Sequence, residues 1–105
     1  MKVYAYIVVD TEYETYPTVT IFKNIEDARK NWRANLAHEF NVRNMEKNFI
    51  ERLRRKIEEE YGISHAVPSY CNPVDIQVCE DDVSITGDEY GNTRAWYIQE
   101  CDAGE

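Results

Sequence analysis

Apolar and polar residues alternate with the period of a β-strand in several stretches of the chain. Residues 3–9 are rich in β-branched and aromatic side chains, which predicts an interior strand with both faces nearly buried. Residues 18–22 resume the alternation and predict the second strand of a hairpin. Further alternating runs at 74–79, 83–86 and 93–101 predict three more strands, the last two joined by a glycine-containing turn.

Between these strands, apolar residues recur at steps of three and four, which is the spacing of one face of an α-helix. The first series is Ile25, Ala28, Trp32, Leu36 and Phe40, and the second is Met45, Phe49, Leu53, Ile57 and Tyr61. Asn24 is a suitable N-cap for the first helix, and Gly62 is a suitable residue to end the second. Asn41 and Asn44 are expected to separate the two helices.

These elements follow one another in the order ββααβββ. That order predicts an α+β fold, with a mostly antiparallel sheet and two helices packed on one of its faces. The 105 residues form one domain, residues 1–105, because the chain is long enough for a single core and contains no linker.

Charge is distributed unevenly along the chain. Twelve Lys and Arg face twenty Asp and Glu, for a net charge of -8. Residues 23–57 carry ten bases and five acids, whereas residues 58–105 carry one base and twelve acids. The net charge excludes a free-standing binder of nucleic acid or of an anionic membrane. No apolar run approaches the roughly twenty residues of a membrane span, and the N-terminus lacks the pattern of a signal peptide, so we expect a cytoplasmic protein.

A cluster of acidic residues near the C-terminal strands is the predicted partner-binding site: Glu80, Asp81, Asp82, Asp88 and Glu89. Such a surface complements a basic groove that normally holds nucleic acid, and the field of a dipolar molecule steers association. The alternative is a solvated face that confers solubility only.

Four residues in the C-terminal part predict a structural zinc site: His65, Cys71, Cys79 and Cys101. Three thiolates and one imidazole are a ligand set that zinc prefers, although the spacing contains no C-x2-C pair. The alternative is three free thiols. A cysteine nucleophile would need an oxyanion hole as well as His65 beside Cys71, and no glycine motif supplies one, so we expect no enzymatic activity.

The runs MKVYAYIVVD, VTIFKNIEDARKNW and WYIQECD resemble segments of small acidic proteins of phages and mobile elements, among them the anti-CRISPR inhibitors. The resemblance implies a non-enzymatic protein that binds a type II RNA-guided Cas nuclease and hinders loading of its target DNA. The alternatives are an antitoxin or immunity-type protein that caps a basic toxin, and a zinc-stabilised accessory domain.

Overall fold

A computed structural model describes residues 1–13, 16–43, 47–61, 74–87 and 92–103 of the chain. It contains five strands and two helices in the predicted order, which confirms the α+β fold. The strands are β1 (Lys2–Asp10), β2 (Thr18–Phe22), β3 (Asp75–Cys79), β4 (Asp82–Thr86) and β5 (Thr93–Asp102), and the helices are α1 (Ile25–Phe40) and α2 (Phe49–Glu60).

The five strands form one sheet in the order β2-β1-β5-β4-β3, in which every pair of neighbours is antiparallel. The long pair β1 and β5 lies inside the sheet, with Tyr6 opposite Ile98. Both predicted hairpins are present, β1 with β2 and β4 with β5. The prediction that β1 is an interior strand is therefore confirmed.

Two asparagines define the ends of α1. The side-chain oxygen of Asn24 accepts a hydrogen bond from the backbone N–H of Asp27 at 2.9 Å, which satisfies one of the free donors of the first turn. Asn41 ends the helix in the left-handed conformation, at φ 54°, a region that asparagine tolerates better than most residues. The predicted roles of Asn44 and Gly62 fall outside the described residues.

The core lies between the helices and one face of the sheet. Its helical members are Trp32, Leu36 and Phe40 of α1 with Phe49, Leu53 and Ile57 of α2, and they pack against Tyr6, Val78, Val83, Ile85 and Trp96 of the strands. The indole of Trp32 is fully buried and its Nε1 donates a hydrogen bond to the backbone carbonyl of Trp96 at 2.8 Å. Its ring also meets Phe49 edge to face, with centroids 6.3 Å apart.

The sheet is covered on one side. Tyr6, Trp96 and Val83 lie on the face that packs against the helices, and their neighbours along each strand point to the opposite face. No described helix or strand packs on that opposite face, which we call the open face. Neither α1 nor α2 is long and apolar enough to cross a membrane.

Replacing Trp32 tests how strongly the helices depend on this indole. Trp32→Phe should lower the free energy of unfolding by about 2 to 3 kcal/mol, because it opens a cavity and leaves the Trp96 carbonyl without its donor. Urea denaturation followed by circular dichroism measures the change. Tyr97→Phe on the open face is the control, and a surface change of this kind costs less than about 0.5 kcal/mol. A loss below about 1 kcal/mol for Trp32→Phe would contradict a central role for the indole.

Candidate protein-binding surface

The turn between β3 and β4 consists of Glu80 and Asp81, the first two residues of the predicted acidic site. Asp81 has φ 68°, in the left-handed region that aspartate tolerates better than β-branched residues do. Its backbone carbonyl accepts a hydrogen bond from the N–H of Ile98 at 2.9 Å, which ties the turn to β5. The turn is therefore held in one position beside α1.

Two arginines of α1 form hydrogen-bonded ion pairs with the carboxylates of this turn. Arg29 reaches both oxygens of Asp81 at 2.9 to 3.1 Å, and Arg33 reaches both oxygens of Glu80 at 2.9 to 3.3 Å. The hydrogen bond to Asp81 raises the pKa of the Arg29 guanidinium. We call these two pairs the arginine clamp. It turns the carboxylates of Glu80 and Asp81 toward the helical layer and balances their charge.

The third residue of the predicted acidic site points elsewhere. Asp82 is exposed on the open face, where it lies opposite Cys79 on one side and Tyr97 on the other. Asp75, at the start of β3, is exposed on the same face. Asp88 and Glu89 lie outside the described residues. Asp75 and Asp82 are thus two separate exposed carboxylates of the open face, and Asp75 was not part of the predicted acidic site.

An apolar patch occupies the other side of the open face. Val19 and Ile21 of β2 are 52% and 57% exposed, although both are large hydrophobic residues. They lie opposite Ile7 and Ala5 of β1, which are buried within the sheet. Of these four residues, Val19 and Ile21 present the accessible apolar surface, and adjoining exposed apolar side chains are candidates for contact with a partner. We call Val19, Ile21, Ile7 and Ala5 the apolar patch.

The basic residues of the molecule lie on the helical side. Arg43, Arg52, Arg55 and Lys56 line a cavity of about 380 Å³ between the end of α1 and the outer side of α2. Within this layer Arg55 pairs with Glu51 at 2.8 Å, as expected for residues one helical turn apart. Positive charge is therefore concentrated away from the open face.

The predicted zinc ligands are only partly described. Cys79 ends β3 and Cys101 lies on β5, both on the open face. Cys79 lies across β4 from Tyr97, four residues before Cys101, so strand geometry separates the two cysteines by about 16 Å. Sulfur ligands sit about 2.3 Å from zinc, so these two thiols do not share one ion in this arrangement.

The remaining predicted ligands, His65 and Cys71, fall outside the described residues. In the described part of the chain, no three His, Cys, Asp or Glu side chains come together as a metal site would require. The zinc site predicted from His65, Cys71, Cys79 and Cys101 stays a prediction, with Cys79 and Cys101 apart in this structure.

Comparisons with models of protein families, with curated proteins and with solved structures find no match to this chain.

The arginine clamp predicts a measurable coupling between residues far apart in sequence. Arg29→Ala and Asp81→Ala should each destabilise the fold, and the double variant should lose less than the sum, with a coupling of about 1 kcal/mol because the pair is only half-buried. A double-mutant cycle from urea denaturation gives this quantity. The pair Arg55 and Glu51, which is more exposed, is the control and should couple by about 0.3 to 0.5 kcal/mol. Equal coupling free energies for the two pairs would contradict a stabilising role of the arginine clamp beyond that of an exposed ion pair.

The thiols provide a test of the zinc prediction. Cys79 is exposed, so it should react with a thiol reagent in the folded protein within the time that a small free thiol takes. Cys101, which is half-buried, should react more slowly. Elemental analysis of untagged protein gives the zinc content in parallel. About one zinc per chain together with a protected Cys79 would assign this thiol to a metal site.

Proposed function

We propose that this protein acts by binding another protein, without catalysis, and that it docks the open face of its sheet on a basic surface. The observation that carries the proposal is the apolar patch, in which Val19 and Ile21 are more than half exposed on a sheet face that no described element covers. Removing such groups from water upon docking contributes favourable free energy.

Charge supports a basic partner. The apolar patch shares its face with Asp75 and Asp82, and the whole chain carries a net charge of -8. The two carboxylates lie on β4 and β3, about 15 to 20 Å across the sheet from β2, so a partner that covers the open face would contact both the apolar patch and the acidic residues. Basic residues of the partner opposite Asp75 and Asp82 would add attraction, and complementary charge would also raise the rate of association.

The first candidate partner is a type II RNA-guided Cas nuclease, because the sequence resembles phage inhibitors of such enzymes. The channels of these nucleases are lined with Lys and Arg that hold the nucleic-acid backbone. An acidic protein seated on such a channel would compete with the phosphates of the target DNA. We propose that the protein acts in the cytoplasm of the host, where it hinders loading of DNA without altering the chemistry of cleavage.

The experiment measures binding to a purified, guide-loaded type II nuclease by biolayer interferometry, and DNA loading by gel shift. The protein should bind the nuclease and reduce target loading. The double variant Asp75→Lys, Asp82→Lys should weaken binding by at least about tenfold and flatten its dependence on salt, because two attractive carboxylates become repulsive. Val19→Ser with Ile21→Ser should weaken binding without changing the salt dependence.

A matched control separates the docking surface from total charge. Glu59→Lys with Glu60→Lys makes the same change in net charge on exposed residues of α2, on the helical side of the molecule. This variant should bind almost as the parent does. Equal losses for the two lysine variants would show that only net charge matters and would contradict docking through the open face.

Two further outcomes would change the assigned partner or mechanism. If the nuclease loads DNA normally in the presence of the protein while cleavage stops, the proposed step is wrong. If no type II nuclease binds but a small basic toxin does, and the open-face variants weaken that complex, the protein is an antitoxin and the nuclease assignment is wrong.

A further inference from the structure

Strand β2 forms one edge of the sheet, and no strand of the described chain pairs with its outer side. Residues 18–21 of this strand are all exposed. Thr18 and Thr20 lie on the side of the sheet that carries the helices, so their exposure shows that α1 does not cover this edge. An uncovered edge strand offers its backbone N–H and C=O groups to another strand.

Backbone hydrogen bonds at both ends of β1 show which of its residues bond to β5. The N–H of Ala103 donates to the carbonyl of Met1 at 2.8 Å, and the N–H of Thr11 donates to the carbonyl of Thr93 at 3.0 Å. In an antiparallel pair, alternate residues carry these bonds. Odd-numbered residues of β1 therefore bond to β5, and even-numbered residues bond to β2.

The same alternation determines the direction of the backbone groups of β2. Tyr6 is even-numbered and lies opposite Thr20, so these two residues exchange backbone hydrogen bonds. Val19 and Ile21, on either side of Thr20, then direct their N–H and C=O groups away from β1. They are also the two residues of β2 whose large apolar side chains are more than half exposed. The edge thus presents donors, acceptors and apolar side chains together.

The opposite edge of the sheet, β3, is protected by a side chain. The N–H of Gly87 donates to the carbonyl of Asn92, so odd-numbered residues of β4 bond to β5. Val78 lies opposite odd-numbered Val83 and therefore directs its carbonyl outward. There the carbonyl accepts a hydrogen bond from Nη2 of Arg54 of α2 at 2.7 Å. Covering an edge in this way is one means by which proteins prevent further strand pairing.

Strand β2 lacks the usual protections of an edge. It contains no charged residue, and its register with β1 runs without a bulge. Charged side chains and bulges are the other common means of preventing pairing between edges. The edge of β2 is therefore suited to accept a further strand.

We propose that β2 pairs edge to edge with β2 of a second copy of this chain, antiparallel and about a two-fold axis through Thr20. In this register Val19 lies opposite Ile21 of the second copy, and Ile21 lies opposite Val19 of the second copy. Each of these pairs exchanges two backbone hydrogen bonds, so the outward N–H and C=O groups of both residues are all used. The apolar side chains of each pair also contact each other across the two strands.

Charge favours a second copy at this edge. The strand itself is uncharged, so a basic strand of another protein would gain no attraction from it, whereas an identical strand brings the matching apolar pairs. Asp75 and Asp82 lie about 15 to 20 Å from β2, so edge pairing leaves those of the two copies about 30 Å apart or more. Repulsion over that distance is screened at physiological ionic strength.

The size of the contact predicts a dimer in exchange with the monomer. Five residues per copy bury less than the roughly 1,200 Å² of a stable interface, so we expect a dissociation constant of about 10 to 500 µM. The open faces of the two copies would lie side by side in one continuous sheet. The apolar patches would then adjoin and stay accessible to a partner protein.

The isolated protein tests this dimer by sedimentation and by amide hydrogen exchange in NMR. The average mass should rise toward that of two chains between about 10 µM and 1 mM. Over the same range, exchange of the N–H groups of Val19 and Ile21 should slow at least about twofold, because pairing protects them. Exchange at Thr20, whose N–H is already bonded to Tyr6, should not change.

A proline substitution removes one outward donor. Val19→Pro deletes an N–H that makes no bond to β1, so the fold should persist while the dissociation constant rises at least about tenfold. Circular dichroism checks the fold. Ile76→Pro is the matched control, since Ile76 is even-numbered like Val78 and directs its N–H outward at the β3 edge. It should dimerise as the parent does.

Thr20→Cys tests the register without a proline. The two copies of position 20 lie opposite each other with Cα atoms about 4.5 Å apart, which is within the reach of a disulfide. Mild oxidation should link them, and peptide mapping under non-reducing conditions identifies the bond. Thr18→Cys is the control: it is also exposed, but its two copies lie about 14 Å apart and should not link.

The proposal is overturned if the chain stays monomeric at 1 mM, if a folded Val19→Pro variant dimerises as the parent does, or if Thr18→Cys links as readily as Thr20→Cys. Amide protection that appears at β2 only when the guide-loaded nuclease is added would assign the edge to a strand of that partner and would also overturn it. The double variant Asp75→Lys, Asp82→Lys should dimerise as the parent does, so the dimer and docking on the nuclease are tested by different variants.

Discussion

Trp32 fixes the orientation of α1 about its own axis. The directions of the other side chains of α1 depend on this constraint. The indole is fully buried, donates to the Trp96 carbonyl of the central strand and meets Phe49 of α2 at its edge. A helix held at such a point cannot rotate without breaking a buried hydrogen bond. Side chains on the two flanks of α1 are therefore presented in fixed directions. Arg29 and Arg33 face the β3–β4 turn, while Asn31 and Asn35 face β1 and β2.

Strand β2 shows how register determines which side chains lie on the open face. In ordinary patterning its apolar residues would face the helices and its threonines would face water. The register with β1 places Thr18 and Thr20 on the covered face and Val19 and Ile21 on the open face, while Phe22 faces the helices and packs on the core. This register leaves polar side chains between β2 and α1 and exposes the two apolar residues. Moving β2 by one residue relative to β1 would reverse both placements, because every side chain of the strand would change face.

The sequence predicts local features well and distant pairings poorly, for physical reasons. The helix α1 depends on local features, namely the apolar residues from Ala28 to Phe40 and an asparagine at each end. These features lie within a few residues of one another, so their pattern alone predicts the helix. The arginine clamp joins residues 52 and 47 positions apart, and no periodicity reports such a pairing. Composition identifies the acidic cluster. It does not indicate that Glu80 and Asp81 face α1 while Asp82 lies on the open face. The exposure of Val19 and Ile21 depends on the register of β2, which alternation leaves open by one residue.

An exposed apolar patch on a free sheet face is a hazard, because a second copy of the same chain could bury it. The charge distribution opposes that outcome. Two copies that meet through their open faces would bring together molecules that each carry a net charge of -8, with Asp75 and Asp82 exposed on the face of each copy that becomes covered. Repulsion of this kind is reduced by salt but acts over about 8 to 10 Å at physiological ionic strength, which is the range of the encounter. A basic partner meets the same face with attraction. In the proposed docking, the acidic residues would therefore select between occupants of the apolar patch, and burying Val19 and Ile21 would supply the favourable free energy.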